Sequence, residues 1–495
     1  MKTKKSILNL SLLIVSAIVI NSCTTSTSTP NTPQVTAGSS DSASTTMPQP
    51  DSRIDSQNSA GATSATPMYN SPSSASGSAI NPSIVSKIPM NEENKTKNNY
   101  FTNYGNNPFV LTQNDNKSTF SIDVDTASYT WLRKSLDNNI LVNKDAVRTE
   151  EYLNFFDYNY PKPIDGKFSI NTDLVNSNLN SNTKIMRIGI QGKEIDNSIR
   201  KSANLTFVVD VSGSMSQENR LELVKNSLEI LVNQLNNNDR IAIVVFGSDA
   251  RVVLNATGIE QKDKIIQSIK ALKTEGSTNT EAGLKLGYLL AEKNFSSGEI
   301  NRVILCSDGV ANVGQVGPDA ILSKIKQSSQ SGINLSTVGF GMGNYNDTLM
   351  EKLADQGDGN YAYVDNIKEA QRIFVQNLTG TLQVIAKDTK IQFQFNPQVV
   401  KEYRLIGYEK RDIADKDFRN NNVDAGEVGS NQSVTALYEL KLNDNVNYGK
   451  IGSLFLRYKD VDKGDNVIEV NKDVDLKNLT DFSNASSSTK LAISV

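Results

Sequence analysis

Between residues 203 and 380 the chain alternates two apolar patterns. Near-continuous apolar runs, NLTFVVDVS, RIAIVVFG, ARVVLN, NRVILCSDG, INLSTVGFG and GNYAYVD, are separated by segments with helical spacing. Those segments include NRLELVKNSLEILVNQL, KDKIIQSIKALK, TEAGLKLGYLLAEKN, GPDAILSKIKQSSQ and DTLMEKLAD. In the first of them Leu221, Val224, Leu228 and Leu231 make one apolar stripe. Unbroken Val/Ile runs suit strands covered on both faces. Repeated βα units predict right-handed crossovers and an α/β, doubly wound, mostly parallel sheet.

A different pattern flanks this stretch. TKIQFQFNP, EYRLIGYE, SVTALYELKL and GSLFLRYKD alternate apolar and polar positions, as half-buried antiparallel strands do. Upstream, KFSINTDLV and TKIMRIGIQGKEI read as a hairpin, and STFSIDVDTASYTWLRKSLDNN as a strand followed by a helix. Asp125, Thr126 and Ser128 are read as capping oxygens at that junction rather than metal ligands. DVDKGDN near residue 460 is read as a hairpin turn, because its glycine is displaced from a calcium loop and no glutamate closes it. Both flanking regions are therefore predicted to be β-rich.

The first 95 residues have no such pattern. MKTKK is a basic start, and ILNLSLLIVSAIVI is an apolar run too short to span a membrane comfortably. With Ile20, Ser22 and Cys23 closing it, this segment resembles a bacterial lipoprotein signal, which implies that Cys23 is acylated (palmitate or a similar chain). Several acyl chains give stable anchoring where one binds only marginally. From residue 24 to about 95, Ser, Thr, Asn and Pro dominate, and so little apolar surface cannot offset ordering entropy. About 70 residues of flexible coil reach roughly 45–50 Å, which fits a tether between anchor and folded part.

Composition narrows the chemistry. The chain has 495 residues, 51 basic and 54 acidic, for a net charge of −3. No basic excess points to nucleic acid. There is no histidine, which removes Ser-His and Cys-His catalysis, HExxH zinc sites and any imidazole base. Of the two cysteines, Cys23 is assigned to lipid, and Cys306, inside the fourth strand, is read as a small buried apolar residue.

The candidate chemistry lies where strands end. Ligands on doubly wound sheets bind at the carboxyl ends of strands, at the topological switch point. Asp210 ends the first strand, and the next loop, VSGSMS, supplies Ser212 and Ser214. TEGSTNTE carries Thr278 ahead of a helix, and VILCSDG carries Asp308 at a strand end. Two carboxylates and three hydroxyls make an oxygen-only site, which suits a hard cation such as Mg²⁺ near-octahedral at about 2.0–2.1 Å, or Mn²⁺ or Ca²⁺. The bland alternative is that Asp210 and Ser214 cap a helix and Asp308 orders a turn.

The D-x-S-x-S run with a downstream Thr and a downstream Asp resembles the metal-ion-dependent adhesion site of von Willebrand factor type A domains. The resemblance implies that Ser212, Ser214 and Thr278 coordinate the ion directly, with Asp210 and Asp308 acting mainly through water or as supporting acceptors. NPF…STFSIDVDTASYTWLRKSL…DAVRTEEYLNFFDYNYP and FNPQVVKEYRLIGYEKR…SVTALYEL are similar to the two flanks of a bacterial lipoprotein subgroup of that family. In that subgroup a histidine is expected near SVTALYEL, where this chain has Gln432 or its neighbours. A further apolar helix is also expected beyond STKLAISV, so the last domain is expected to be a shortened form. The implied organisation is a signal peptide over 1–22, a tether over 23–95, an N-terminal flank over 96–200, the type A domain over 201–380 and a C-terminal flank over 381–495. The implied function is not enzymatic. It is a lipid-anchored protein-binding module of the bacterial cell envelope, at the outer membrane or facing the periplasm, whose cation meets an Asp or Glu carboxylate of a partner. The alternatives are an enzyme or enzyme subunit using Mg²⁺ as a Lewis acid, and an envelope protein whose ion only staples loops.

Overall fold

The computed structural model describes residues 99–309, 318–343 and 345–495. The signal-like segment, Cys23 and the tether lie outside the described residues. Among the described residues, no helix is long and apolar enough to cross a membrane.

The central sheet has six strands: β1 (Ala203–Asp210), β2 (Arg240–Phe246), β3 (Ala250–Gly258), β4 (Ile300–Ser307), β5 (Ile333–Phe340) and β6 (Tyr361–Val364). Their spatial order is β6-β5-β4-β1-β2-β3, parallel throughout except for the antiparallel β2–β3 edge pair. Strand β1 sits between β4 and β2, with Val209 level with Cys306 and Asp210 level with Phe246. The chain leaves β1 for β2 on one side and later returns to β4 on the other. The switch point therefore falls at the carboxyl end of β1, where Asp210 stands.

Both faces of this sheet are covered, as the unbroken apolar runs require. On one face Phe207, Val209, Ile243, Val245, Ile304 and Cys306 pack against α1 (Arg220–Gln234) through Val224, Leu228 and Leu231. On the other, Val208, Val244, Val303 and Leu305 meet Leu284 and Tyr288 of the helix Thr280–Lys293. Each fully buried Leu, Ile or Val contributes about 1.5–3 kcal/mol relative to exposure. Burial pushes the Cys306 thiol up to about 12, so it behaves as a small apolar core residue.

The flanks form two further sheets, and residues 96–200 and 381–495 contribute to both. One has the order Val110–Leu111, Val400–Ile406, Ser433–Leu442, Lys184–Gly192, Phe168–Asn176, Leu479–Thr480. The other runs Gly426–Gly429, Val384–Phe395, Lys450–Asp460, Asn466–Asp475, and Lys117–Ser121 adds to Val384–Phe395, with Ser121 opposite Lys390. A shared layer of Phe120, Ile188, Phe393, Phe395, Tyr438 and Leu454 lies between them. The hairpin Phe168–Asn176/Lys184–Gly192 forms as the alternation predicts. The DVDKGDN stretch turns the antiparallel pair Lys450–Asp460/Asn466–Asp475, with Gly464 at φ +64.

DVDTAS does not cap a helix. Thr126, at the N-terminal end of the helix Ala127–Asp137, makes no side-chain cap bond, and its hydroxyl instead accepts from Arg372 at 2.8 Å. Asp125 accepts the backbone N–H of Tyr361 at 2.9 Å, and Arg411 bonds Asp123 at 3.0 Å. The segment instead joins the flank to the central sheet. Arg148 reinforces the joint: it donates to Asp347 at 2.7 and 3.2 Å and to Glu151. Trp131 adds an apolar contact, stacked on Tyr345 with ring centroids 5.2 Å apart.

Candidate metal centre

Asp210 is fully buried and both its oxygens are in use. Oδ1 accepts the N–H of Ser212 at 2.8 Å, and Oδ2 accepts the hydroxyl of Ser307 at 2.8 Å. The carboxylate thus bends the chain sharply after β1 and ties that bend to the end of β4. Ser212 Oγ then lies 3.0 Å from Ser214 Oγ, on a loop that leaves Ser214 half-buried.

Neither serine caps the helix that follows. Helix α1 starts only at Arg220, after a residue in the left-handed region (Asn219, φ +56), and no side chain caps it. The Asp210 bond to the Ser212 N–H instead orders the bend ahead of the short 3-10 turn Gly213–Asn219.

The loop carrying Thr278 is drawn against the first loop by its backbone. Glu275 N–H donates to Val211 O at 2.6 Å, Gly213 N–H to Gly276 O at 3.1 Å, and Asn279 N–H to Gly247 O at 2.9 Å. Gly276 makes the approach possible: its φ is +70, and a Cβ there would sit 2.5 Å from Ser248 Oγ. Thr278 itself is half-buried in this loop. Asp308 follows β4 directly, is fully buried, and accepts from Arg220 Nη1 at 2.8 Å.

The electrostatics fit a cation. Burial, and then the charge of Asp308, push the Asp210 carboxyl up to about 6. The two buried carboxylates are close enough to repel each other, and Arg220 bonds Asp308. The donors are hydroxyl and carboxylate oxygens, the set hard divalent ions take. Adjacent ligands of an octahedral ion held at about 2.0–2.1 Å lie about 2.9 Å apart, and the two serine hydroxyls are at 3.0 Å. The residues present therefore fit such an ion.

Two residues of this centre were absent from the sequence reading. Ser307 adjoins Asp308 but carries no motif of its own. Arg220 did leave a signal: it precedes Val224 and Leu228 at four-residue spacing, so it lies on the buried stripe of α1, where an arginine needs a partner.

A doubly wound sheet with hydroxyl and carboxylate oxygens at its switch point is the arrangement a von Willebrand factor type A domain requires. The chain carries that domain: the family model for the von Willebrand factor type A domain matches residues 204–414, and one described as von Willebrand factor matches 95–187. The domain described as YfbK, C-terminal, is present at residues 380–495. YfbK of Escherichia coli strain K12 is 40% identical over 353 residues, covering 69% of this chain and 61% of that protein. The chain thus spans somewhat under two thirds of that relative's length. Protein sll0103 of Synechocystis is 28% identical over 56% of this chain and 67% of its own. Human inter-alpha-trypsin inhibitor heavy chain H3 is 28% identical over 32% of this chain and 18% of its own. Among solved structures, a von Willebrand factor type A protein from Catenulispora acidiphila aligns with TM-score 0.41 and 14% identity, over 65% of this chain and 75% of that one.

Proposed function

We propose that this chain is a lipid-anchored protein-binding module of a bacterial envelope whose partner contact depends on a divalent cation. The match to the von Willebrand factor type A domain supports a protein-interaction module. The cation requirement rests on one observation: the Ser212 and Ser214 hydroxyls lie 3.0 Å apart beside the buried carboxylates Asp210 and Asp308. When bound there, the ion supplies an electrophilic position for a ligand oxygen. Ser212, Ser214 and Thr278 would hold it with neutral oxygens, while Asp210 and Asp308 fix the loops and counter its charge. An inner shell without a carboxylate leaves the ion electron-poor, so a partner's Asp or Glu suits the remaining position.

The loop-stapling alternative has less to explain. Backbone bonds and Arg220 lace the three loops together through the chain's own groups. The enzymatic alternative would have to use a base other than imidazole, since the chain has no histidine. Anchoring through Cys23 rests on the basic start, the apolar run and the INSC boundary of the sequence.

The test is capture from envelope extracts by the full chain in Mg²⁺ and in EDTA, with Thr278→Ala as control. A partner held in Mg²⁺ and released by EDTA is then rebuilt with its contacting carboxylate changed to the amide. Loss of binding supports the reading. Full-strength binding that ignores both EDTA and the amide overturns it.

A further inference from the structure

Arg220 has a position that the metal motif does not call for. Its side chain is 3% exposed, yet it carries a full charge at the first residue of α1. Nη1 donates to Asp308 Oδ2 at 2.8 Å and lies 3.5 Å from Ser214 O, and Nη2 donates to Met342 O. Nε is buried without an acceptor. The guanidinium therefore spans the loop after β1, the end of β4 and the loop after β5.

Its route is built for it. Gly341 has φ +76, and a Cβ there would lie 2.1 Å from Arg220 Nε. Only glycine lets the guanidinium pass over that backbone to reach Met342 O. Beyond Met342 the contact continues into the N-terminal flank, where Asn138 Nδ2 donates to Met342 Sδ at 3.2 Å.

We infer that Arg220 is an internal counter-cation of the metal face: it neutralises Asp308 when no ion is held and thereby lowers the affinity for one. The inference rests on the cation reading of the site. A fixed positive charge bonded to one of the site's two carboxylates repels a divalent ion and competes for the same oxygen. One carboxylate, Asp210, stays without a cationic partner among the described contacts, so the site still favours an ion. Arg220 sets how strongly, acting on it through Asp308 and the Ser214 loop as a positioning residue.

The test is calorimetric titration of Mg²⁺ and Mn²⁺ into the metal-free full chain, comparing wild type with Arg220→Met, Arg220→Gln and Arg220→Lys. Removing the charge should tighten binding at least tenfold in the Met variant. The Gln variant, which keeps a donor for Met342 O, should move the same way and covers the case where Met does not fold. Lys keeps the charge and should stay within about threefold of wild type. Met and Gln should also melt lower than wild type in EDTA and gain more from Mg²⁺. If wild type binds the ion while Met and Gln bind it equally or more weakly, Arg220 is only a scaffold and the inference fails with the metal centre intact. If wild type binds no ion at all, the metal centre and the inference fall together.

Discussion

Ser212 Oγ and Ser214 Oγ lie 3.0 Å apart, each within one loop of a buried aspartate, and neither is spent on helix capping. The two hydroxyls hydrogen-bond to each other, which holds their oxygens at a spacing that adjacent ligands of one ion also take. Ser212→Ala and Ser214→Ala should each weaken Mg²⁺ binding at least tenfold, about 1.4 kcal/mol or more, without altering the circular dichroism spectrum. Titration of each variant checks this, and affinity unchanged in both would return the serines to a loop-forming role.

The Asp210 carboxyl sits at about 6 in the fold, above its ordinary range of about 3.9. The folded state therefore holds a proton there that the unfolded chain has already lost. That stabilisation is full below about pH 4 and disappears as pH rises through about 6. In EDTA, Asp210→Asn should be more stable than wild type at pH 7.5 by up to about 3 kcal/mol, with the gap closing towards pH 4. Because a cation relieves the same charge, Mg²⁺ should raise the wild-type melting temperature more at pH 7.5 than at pH 5. Melting curves across this range decide it. A gap that does not change with pH would contradict the account.

Arg148 is 5% exposed and joins Glu151 on the N-terminal flank to Asp347 beside the central sheet. Burial already holds the Glu151 carboxyl above its ordinary range, and Arg148 opposes that rise. Arg148→Met removes the counter-charge from two buried acids and should cost about 3–5 kcal/mol. The loss should shrink as the medium is acidified, since protonation then supplies what the guanidinium did. Urea denaturation at two pH values measures both effects.

The central sheet was legible because its signal is local. Apolar runs such as FVVD and VILCSD announce buried parallel strands, and in such a fold the residues ending them must share one edge. Strand order alone therefore puts Asp210, Ser212, Ser214 and Asp308 at one edge, and Thr278 was expected there from its loop ahead of a helix. The flanks were less legible, because alternation shows which residues face inward but not which strand is the neighbour. Nothing near Ser121 signals that it will lie opposite Lys390. Capping looked sufficient for DVDTAS because a junction rich in Asp and Thr serves a cap and an ion-pair joint equally well. The approach of Arg411, Arg372 and Tyr361, all from distant parts of the chain, distinguishes them.

Anchoring can be examined separately from the fold. Wild type expressed in a bacterial host should partition into the detergent phase of a Triton X-114 split, and Cys23→Ser into the aqueous phase or remain unprocessed. Identical partitioning of the two into the aqueous phase would remove the lipid anchor from the account.

The central claim is that this loop cluster holds a divalent cation, and calorimetric titration of Mg²⁺ and Mn²⁺ into the metal-free full chain at pH 7.5 tests it most directly. The account predicts one ion per chain, reversed by EDTA, with affinity lowered at least tenfold in both Asp210→Ala and Asp308→Ala while the fold persists. Absence of binding in wild type, or equal affinity in wild type and both variants, would contradict it.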